Sequence, residues 1–131
     1  MLRVHSQVVG ALDAELVRRE GLPLRSYEVL ISLADAPDGR LRMGELADAL
    51  LLSQSGLTRL VDRLERDGFV ARERCADDAR GYHAVITRAG RSKLTRARPA
   101  HLDGVRRLFL TRLDRDELEA LAAAWDRVLA E

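Results

Sequence analysis

A mainly α-helical fold with one small β-hairpin is what this sequence predicts, and three observations carry the prediction. Leu, Ala and Val dominate the apolar residues while only 9 Gly and 3 Pro interrupt the chain, a composition that favours helix over sheet. Apolar residues recur at three- and four-residue steps through most of the 131 positions, the period of one face of an α-helix. One stretch departs from that period: 69–75 and 82–87 read as two extended runs joined by the polar segment Ala76-Asp77-Asp78-Ala79-Arg80-Gly81, which suits a hairpin. The length is that of one domain, so residues 1–131 are expected to fold as a single unit.

The first helix is expected from Leu2 to about Glu20, where His5, Val9, Leu12 and Leu16 share a face with Val8 beside them and Gly21 stops the run. Pro23 opens a second helix with Tyr27, Leu30, Ile31 and Ala34 on one side, and Pro37-Asp38-Gly39 forces the turn that ends it. Arg40-Leu41-Arg42 is long enough only for a small edge strand. A short helix follows, with Leu46, Ala47 and Leu50 inward.

Ser53 is a good N-cap for the next helix, about Gln54 to Asp67, because its hydroxyl can accept from a free amide of the first turn. Leu57, Leu60, Val61 and Leu64 form the buried stripe of that helix, and Ser55, Thr58, Arg59 and Asp62 lie on another face. Gly68 supplies the left-handed residue behind it. After the hairpin, Thr87 can cap a long helix from Arg88 to about Leu113, with Leu94, Leu102, Val105, Leu108 and Phe109 as its apolar members. Pro99 lies inside it and deletes one ladder hydrogen bond, so a kink is expected near residues 96–98. Asp114 and Glu117 have the spacing of a capping box opening a last helix, whose stripe is Leu118, Leu121, Trp125 and Val128.

The formal net charge is only +1, but it is unevenly spread. Residues 53–98 carry 11 basic and 6 acidic side chains, against 11 basic and 15 acidic in the rest. That basic third is mostly arginine, the side chain suited to phosphate and groove recognition. A single Cys excludes an intramolecular disulfide, no stretch is apolar enough for a membrane span, and the N-terminus lacks a signal-peptide core. A cytoplasmic location is therefore expected. There is no Gly-x-Ser-x-Gly elbow, phosphate-binding glycine loop or paired metal motif, which argues against an enzyme. His5, His83 and His101 are scattered without metal-ligand spacing, and no cofactor is implied. Cys75, at the end of a hairpin strand among Glu73, Asp77 and Asp78, is expected to be a plain cysteine, because nearby carboxylates disfavour a thiolate.

Helix, short strand, short helix, turn, polar-faced helix and a hairpin with an arginine at its tip is the order of a winged helix-turn-helix. Glu45-Leu46-Ala47, then Ser53-Gln54-Ser55-Gly56-Leu57-Thr58-Arg59-Leu60-Val61-Asp62-Arg63-Leu64-Glu65 and Gly68, closely resemble the helix-turn-helix of MarR-family (multiple-antibiotic-resistance regulator) transcription factors. Asp78-Ala79-Arg80-Gly81 followed by Val85-Ile86-Thr87 and Gly90 resembles that family's wing signature, with Ile86 where Leu is usual. Two departures stand out. Met43 takes a place often held by a capping Thr or Ser, a loss of about 1 kcal/mol at that helix start. The first helix also begins at the start of the chain, where relatives often carry further residues, which implies a trimmed dimer face.

The resemblance implies a ligand-responsive repressor that binds a pseudo-palindromic DNA operator as a homodimer, with 23–98 as the winged domain and 1–22 and 99–131 as dimerisation helices. Leu12, Leu16, Leu121 and Trp125 are the expected intersubunit contacts. In the recognition helix Ser53, Gln54 and Ser55 can reach base edges or phosphates, Thr58 can pack on a thymine methyl, and Arg59 can pair with guanine, with Arg63 of the same helix also counted among the DNA-binding residues. The resemblance assigns Arg80 to the minor groove and gives Asp78 the task of orienting the wing by pairing with an arginine, for which Arg63 is the candidate. An unidentified small-molecule effector is expected between the dimerisation helices and the winged domain, bordered by the first helix, Tyr27 and the long helix. A sequence-neutral architectural DNA binder is the alternative, separable by competition with random DNA.

Overall fold

In the computed structural model, residues 1–77 and 80–130 are described. Six α-helices and three strands follow one another as α1 (Leu2–Glu20), α2 (Leu24–Asp35), β1 (Arg40–Arg42), α3 (Met43–Leu50), α4 (Gln54–Arg66), β2 (Val70–Arg74), β3 (Tyr82–Ile86), α5 (Arg88–Leu108) and α6 (Arg115–Leu129). The strands form one antiparallel sheet in the order β1-β3-β2. Arg40 lies opposite Val85 on one side of β3 and Val70 opposite Ile86 on the other, so the hairpin is extended by a short edge strand as the sequence predicts.

The core gathers where α2, α3, α4, the sheet and the N-terminal part of α5 converge, with Val29, Leu30, Leu33, Leu46, Val61 and Ala84 fully covered. Helix α2 is buried on more than one face, Leu24, Ser26, Tyr27, Val29, Leu30 and Leu33 all being inside. Only a narrow strip of the helix faces solvent, where Arg25 pairs with Glu28 at 3.0 Å, and its amphipathic pattern understates its burial. Its first amide finds no cap on Pro23. Instead Leu24 N donates to Asp13 Oδ1 at 2.8 Å, which ties α1 to the start of α2.

The expected caps are in place at α4, α5 and α6. Ser53 accepts from Gly56 N, Thr87 from Gly90 N, and Asp114 and Glu117 form a complete capping box. Helix α3 has no side-chain cap, but the expectation for Met43 is corrected in position: Arg42 is the N-cap residue and Met43 the first residue of the helix. Gly68 has the positive φ of 80° that the turn into β2 requires.

Three further expectations are corrected. Leu16 was expected to await a partner subunit, but it is 1% exposed in the single chain; the close crossing of α1 and α5 covers it, so it belongs to the chain's own core. Helix α5 ends at Leu108 instead of near Leu113, because Asp114 must be extended to cap α6 and the chain leaves the helix through a tight turn at Leu110–Arg112 to reach it. The inward face of α5 is Gly90, Leu94, Ala97, Ala100 and Gly104, while Leu102 is 54% exposed. Small residues face inward there because α1 approaches closely: a Cβ on Gly104 would sit 3.1 Å from Leu12 Cδ2. The helical assignment of α5 continues across Pro99.

Helix α6 contrasts with all of this, since none of its residues is buried. Trp125, Val128 and Leu129 are exposed on it, as are Leu2, Val4 and Val9 on α1.

Candidate nucleic-acid interface

Two features of the sequence build the surface presented by α4. Leu57, Val61 and Leu64 recur at helical spacing and anchor one side in the core, with Leu60 half-buried beside them. Gln54, Ser55, Thr58, Arg59 and Arg63 are thereby turned outward and are all exposed. The first turn is ordered by Ser53, whose Oγ accepts from Gly56 N at 3.1 Å and lies 3.3 Å from the Ser55 hydroxyl. Thr58 Oγ1 donates back to Gln54 O at 2.8 Å, so its proton is committed to the helix. Arg59 and Arg63 form no ion pair among the described residues, and one helical turn apart they share a face.

The hairpin stands beside this helix. Arg80, in the turn before β3, is exposed, and together with Arg42, Gln54, Thr58, Asp62 and Arg72 it borders an open hollow between wing and recognition helix. Asp78 lies outside the described residues, so its expected pairing with Arg63 does too. In the described part of the wing, Asp77 pairs with Arg42 of β1 at 3.0 Å, and Arg74 lies over the Tyr82 ring at 6.0 Å. Cys75 is buried, and its Sγ faces His83 Nδ1 at 3.2 Å instead of the neighbouring carboxylates.

Sequence reasoning missed Arg72. From β2 it reaches across to α4, where its guanidinium meets Asp62 at 2.7 Å and Glu65 at 3.2 Å. The signal was available in the spacing, because Asp62 and Glu65 are three residues apart on one helical ridge and Arg72 is the middle residue of the facing strand.

The region where the sequence led us to expect an effector has a different border from the one expected. Tyr27 is 3% exposed and stacks on His101 with ring centroids 4.6 Å apart, so it is core rather than cleft wall. Burial holds the His101 imidazole below its ordinary pKa, with Glu28 acting the other way, and His101 Nδ1 has no hydrogen-bond partner among the described residues. A cleft of about 560 Å³ opens instead between α1, α2 and α3, bordered by His5, Val9, Asp13, Leu24, Arg25 and Leu50. Among the described residues no group of three or more His, Cys, Asp or Glu is placed to hold a metal ion, and no helix is long and apolar enough to cross a membrane.

A short helix, a tight turn and an exposed polar helix flanked by an antiparallel hairpin define a winged helix-turn-helix protein. Comparison with known proteins narrows the class. The sequence model of the MarR family matches residues 20–81. The chain superposes with a TM-score of 0.91 on Sco3205, a MarR family transcriptional regulator from Streptomyces coelicolor solved in complex with DNA, at 36% identity over 97% of this chain and 80% of that one. AbsC, a MarR family transcriptional regulator from the same organism, gives 0.90 at 32% identity, over 97% of this chain and 85% of its own. The HTH-type transcriptional repressor YetL of Bacillus subtilis is 34% identical over 85 residues, 65% of this chain and 51% of that protein. The chain therefore belongs to the MarR family, and it spans about half the length of that curated relative.

If Arg59 reads a base through a bidentate contact, its loss removes discrimination at one base pair and leaves phosphate binding intact. Arg59→Ala is thus expected to lower selectivity at a single position by about 1–3 kcal/mol. A binding-site selection carried out with the variant checks this: an unchanged sequence preference would remove Arg59 from the reading role.

Proposed function

We propose that this protein is a sequence-specific transcriptional repressor that binds a pseudo-palindromic operator as a homodimer. The observation that carries the reading is α4, whose apolar ridge is anchored in the core while its exposed face offers Gln54, Ser55, Thr58 and two arginines without ionic partners among the described residues. An α-helix with such a face fits the major groove, and the exposed Arg80 suits the adjacent minor groove. Sco3205, similar over nearly the whole chain, was crystallised with DNA, and YetL is a repressor. A bound dimer represses by blocking access of polymerase.

Dimerisation follows from what one chain leaves uncovered. Helix α6 buries none of its residues, and a capped amphipathic helix with an exposed tryptophan gains its stability from packing elsewhere. Trp125, with Leu121 beside it, and the exposed apolar residues of α1 form the shared face; Leu12 is half-buried already. A small-molecule effector is placed in the cleft beside α1, where the cap from Asp13 to α2 would feel its presence.

Selection of duplexes from a random library by the unmodified protein, with random DNA as competitor, tests the reading. A palindromic consensus is expected; equal affinity for all duplexes would favour an architectural binder. Trp125→Asp separates association from folding. It is expected to sediment as a monomer at micromolar concentration with the helical signal of α1–α5 retained and operator affinity lost, since a buried unpaired charge costs several kcal/mol at a shared face. A dimeric Trp125→Asp with full affinity would overturn the assignment of this face.

A further inference from the structure

We infer that Arg72 is a positioning residue that fixes the recognition helix and the wing at one separation, so that the two DNA probes act as a coupled pair; this rests on the DNA-binding reading above. The inference starts from the sheet edge. In the order β1-β3-β2, β2 has a neighbour on one side only, and an antiparallel edge strand leaves outward amides without a strand partner. The Arg72 amide donates instead to Glu65 Oε2 at 3.2 Å, and the Arg72 guanidinium donates to the other oxygen of the same carboxylate at 3.2 Å. Glu65 of α4 thus grips backbone and side chain of one strand residue together.

The same guanidinium continues along the helix. It lies 2.7 Å from Asp62 Oδ1 and donates to the Thr58 carbonyl at 3.3 Å. Thr58, Asp62 and Glu65 are the i, i+4 and i+7 positions of one ridge of α4, so a single planar fork spans two helical turns of the element that would lie in the groove. The Arg72 side chain is 20% exposed, compared with 50% and 45% for its carboxylate partners. Screening by solvent is weakest at the arginine, where the contacts converge.

The clamp lies between the two probes. Gln54, Ser55 and Arg59 belong to the N-terminal half of α4, and Arg80 stands in the turn at the far end of the hairpin whose first strand Arg72 holds at its middle. A major-groove helix and a minor-groove arginine both contribute fully only if their separation matches that of the grooves. Arg72 also sets its positive charge against Asp62 and Glu65, which would otherwise repel phosphates approaching the same ridge. Lysine keeps the charge but offers one compact ammonium in place of the fork, so it can meet one acceptor well and not the three that the guanidinium reaches in this arrangement.

A double-mutant cycle tests the inference with the full chain and the duplex that the unmodified protein selects from a random library, carrying either A·T or G·C flanks. In the unmodified protein Arg80→Ala is expected to reduce affinity for the A·T-flanked duplex about tenfold, and in the Arg72→Lys background by less than about threefold, the non-additivity of residues acting through one network. Glu65→Gln, which keeps an acceptor on the same ridge, provides a second route if Arg72→Lys fails to fold, and should weaken the coupling in the same direction. A merely structural role would lower affinity without changing the effect of Arg80→Ala. Equal losses from Arg80→Ala in every background would therefore overturn the inference, whereas failure to select any duplex would overturn the DNA-binding reading and this inference with it.

Discussion

Leu16→Glu is expected to abolish cooperative folding at any protein concentration. Leu16 is 1% exposed and packs in the single chain's core with residues of α2 and α5. Burying a leucine is worth about 1.5–3 kcal/mol, and the substitution forfeits that while placing a carboxylate where no cation has been provided. An unpaired buried charge costs several kcal/mol more, a large share of a total stability of about 5–15 kcal/mol. Thermal unfolding followed by circular dichroism checks it. The informative contrast is Trp125→Asp, for which folding of the winged domain persists and only association is lost. A Leu16→Glu protein that melts like the unmodified one yet sediments as a monomer would return Leu16 to the intersubunit face.

Gly90→Ala carries the second large effect, with a sign opposite to helix propensity. Gly90 lies in the first turn of α5, and alanine in a helix is ordinarily better than glycine by about 0.8–1.0 kcal/mol. Here an added Cβ would stand 2.2 Å from the Phe69 carbonyl oxygen and 2.9 Å from Ile86 Cγ1. The obstacle is backbone, which cannot rotate aside. That carbonyl also accepts from Thr87 N at 3.1 Å, and Thr87 Oγ1 donates to Gly68 O at 2.6 Å while accepting from Gly90 N. Relieving the clash pulls apart the junction where α4, the hairpin and α5 meet. We expect a loss of about 3 kcal/mol, the upper end of ordinary overpacking penalties. Gly10→Ala is the control: nothing lies within 4 Å of its added carbon, and propensity alone should stabilise by about 0.5–1 kcal/mol. Chemical denaturation of both variants decides the matter, and equal signs would mean that the approach of α5 to Phe69 is looser than the geometry describes.

Elements whose identity depends on local chemistry were legible in the chain itself. Ser53, Thr87 and the Asp114–Glu117 pair act as caps because a hydroxyl or carboxylate at that spacing meets a free amide whatever lies beyond. The ridge of Leu57, Val61 and Leu64 declared which side of α4 faces inward, and so which residues face out. Gly68 marked the turn into the hairpin, and the uneven distribution of arginine pointed to a polyanion.

Tertiary structure alone decided three things. The burial of Leu16 within one chain could not be read from an apolar stripe, since a stripe specifies that a face is covered and not by which molecule. The inward face of α5 went to Gly90, Ala97, Ala100 and Gly104 over the larger Leu102, because the distance at which α1 and the Phe69 carbonyl approach selects small residues regardless of hydrophobicity. The Arg72 clamp joins positions 58, 62, 65 and 72, and its acceptors include a main-chain carbonyl that no residue identity announces. Sequence by itself thus determined the elements, the capped starts of α4, α5 and α6, and the outward polar face of α4, all consequences of contacts within a few residues. How closely elements approach, and which charges that approach brings together, depends on packing between distant segments, and only the folded chain determines it.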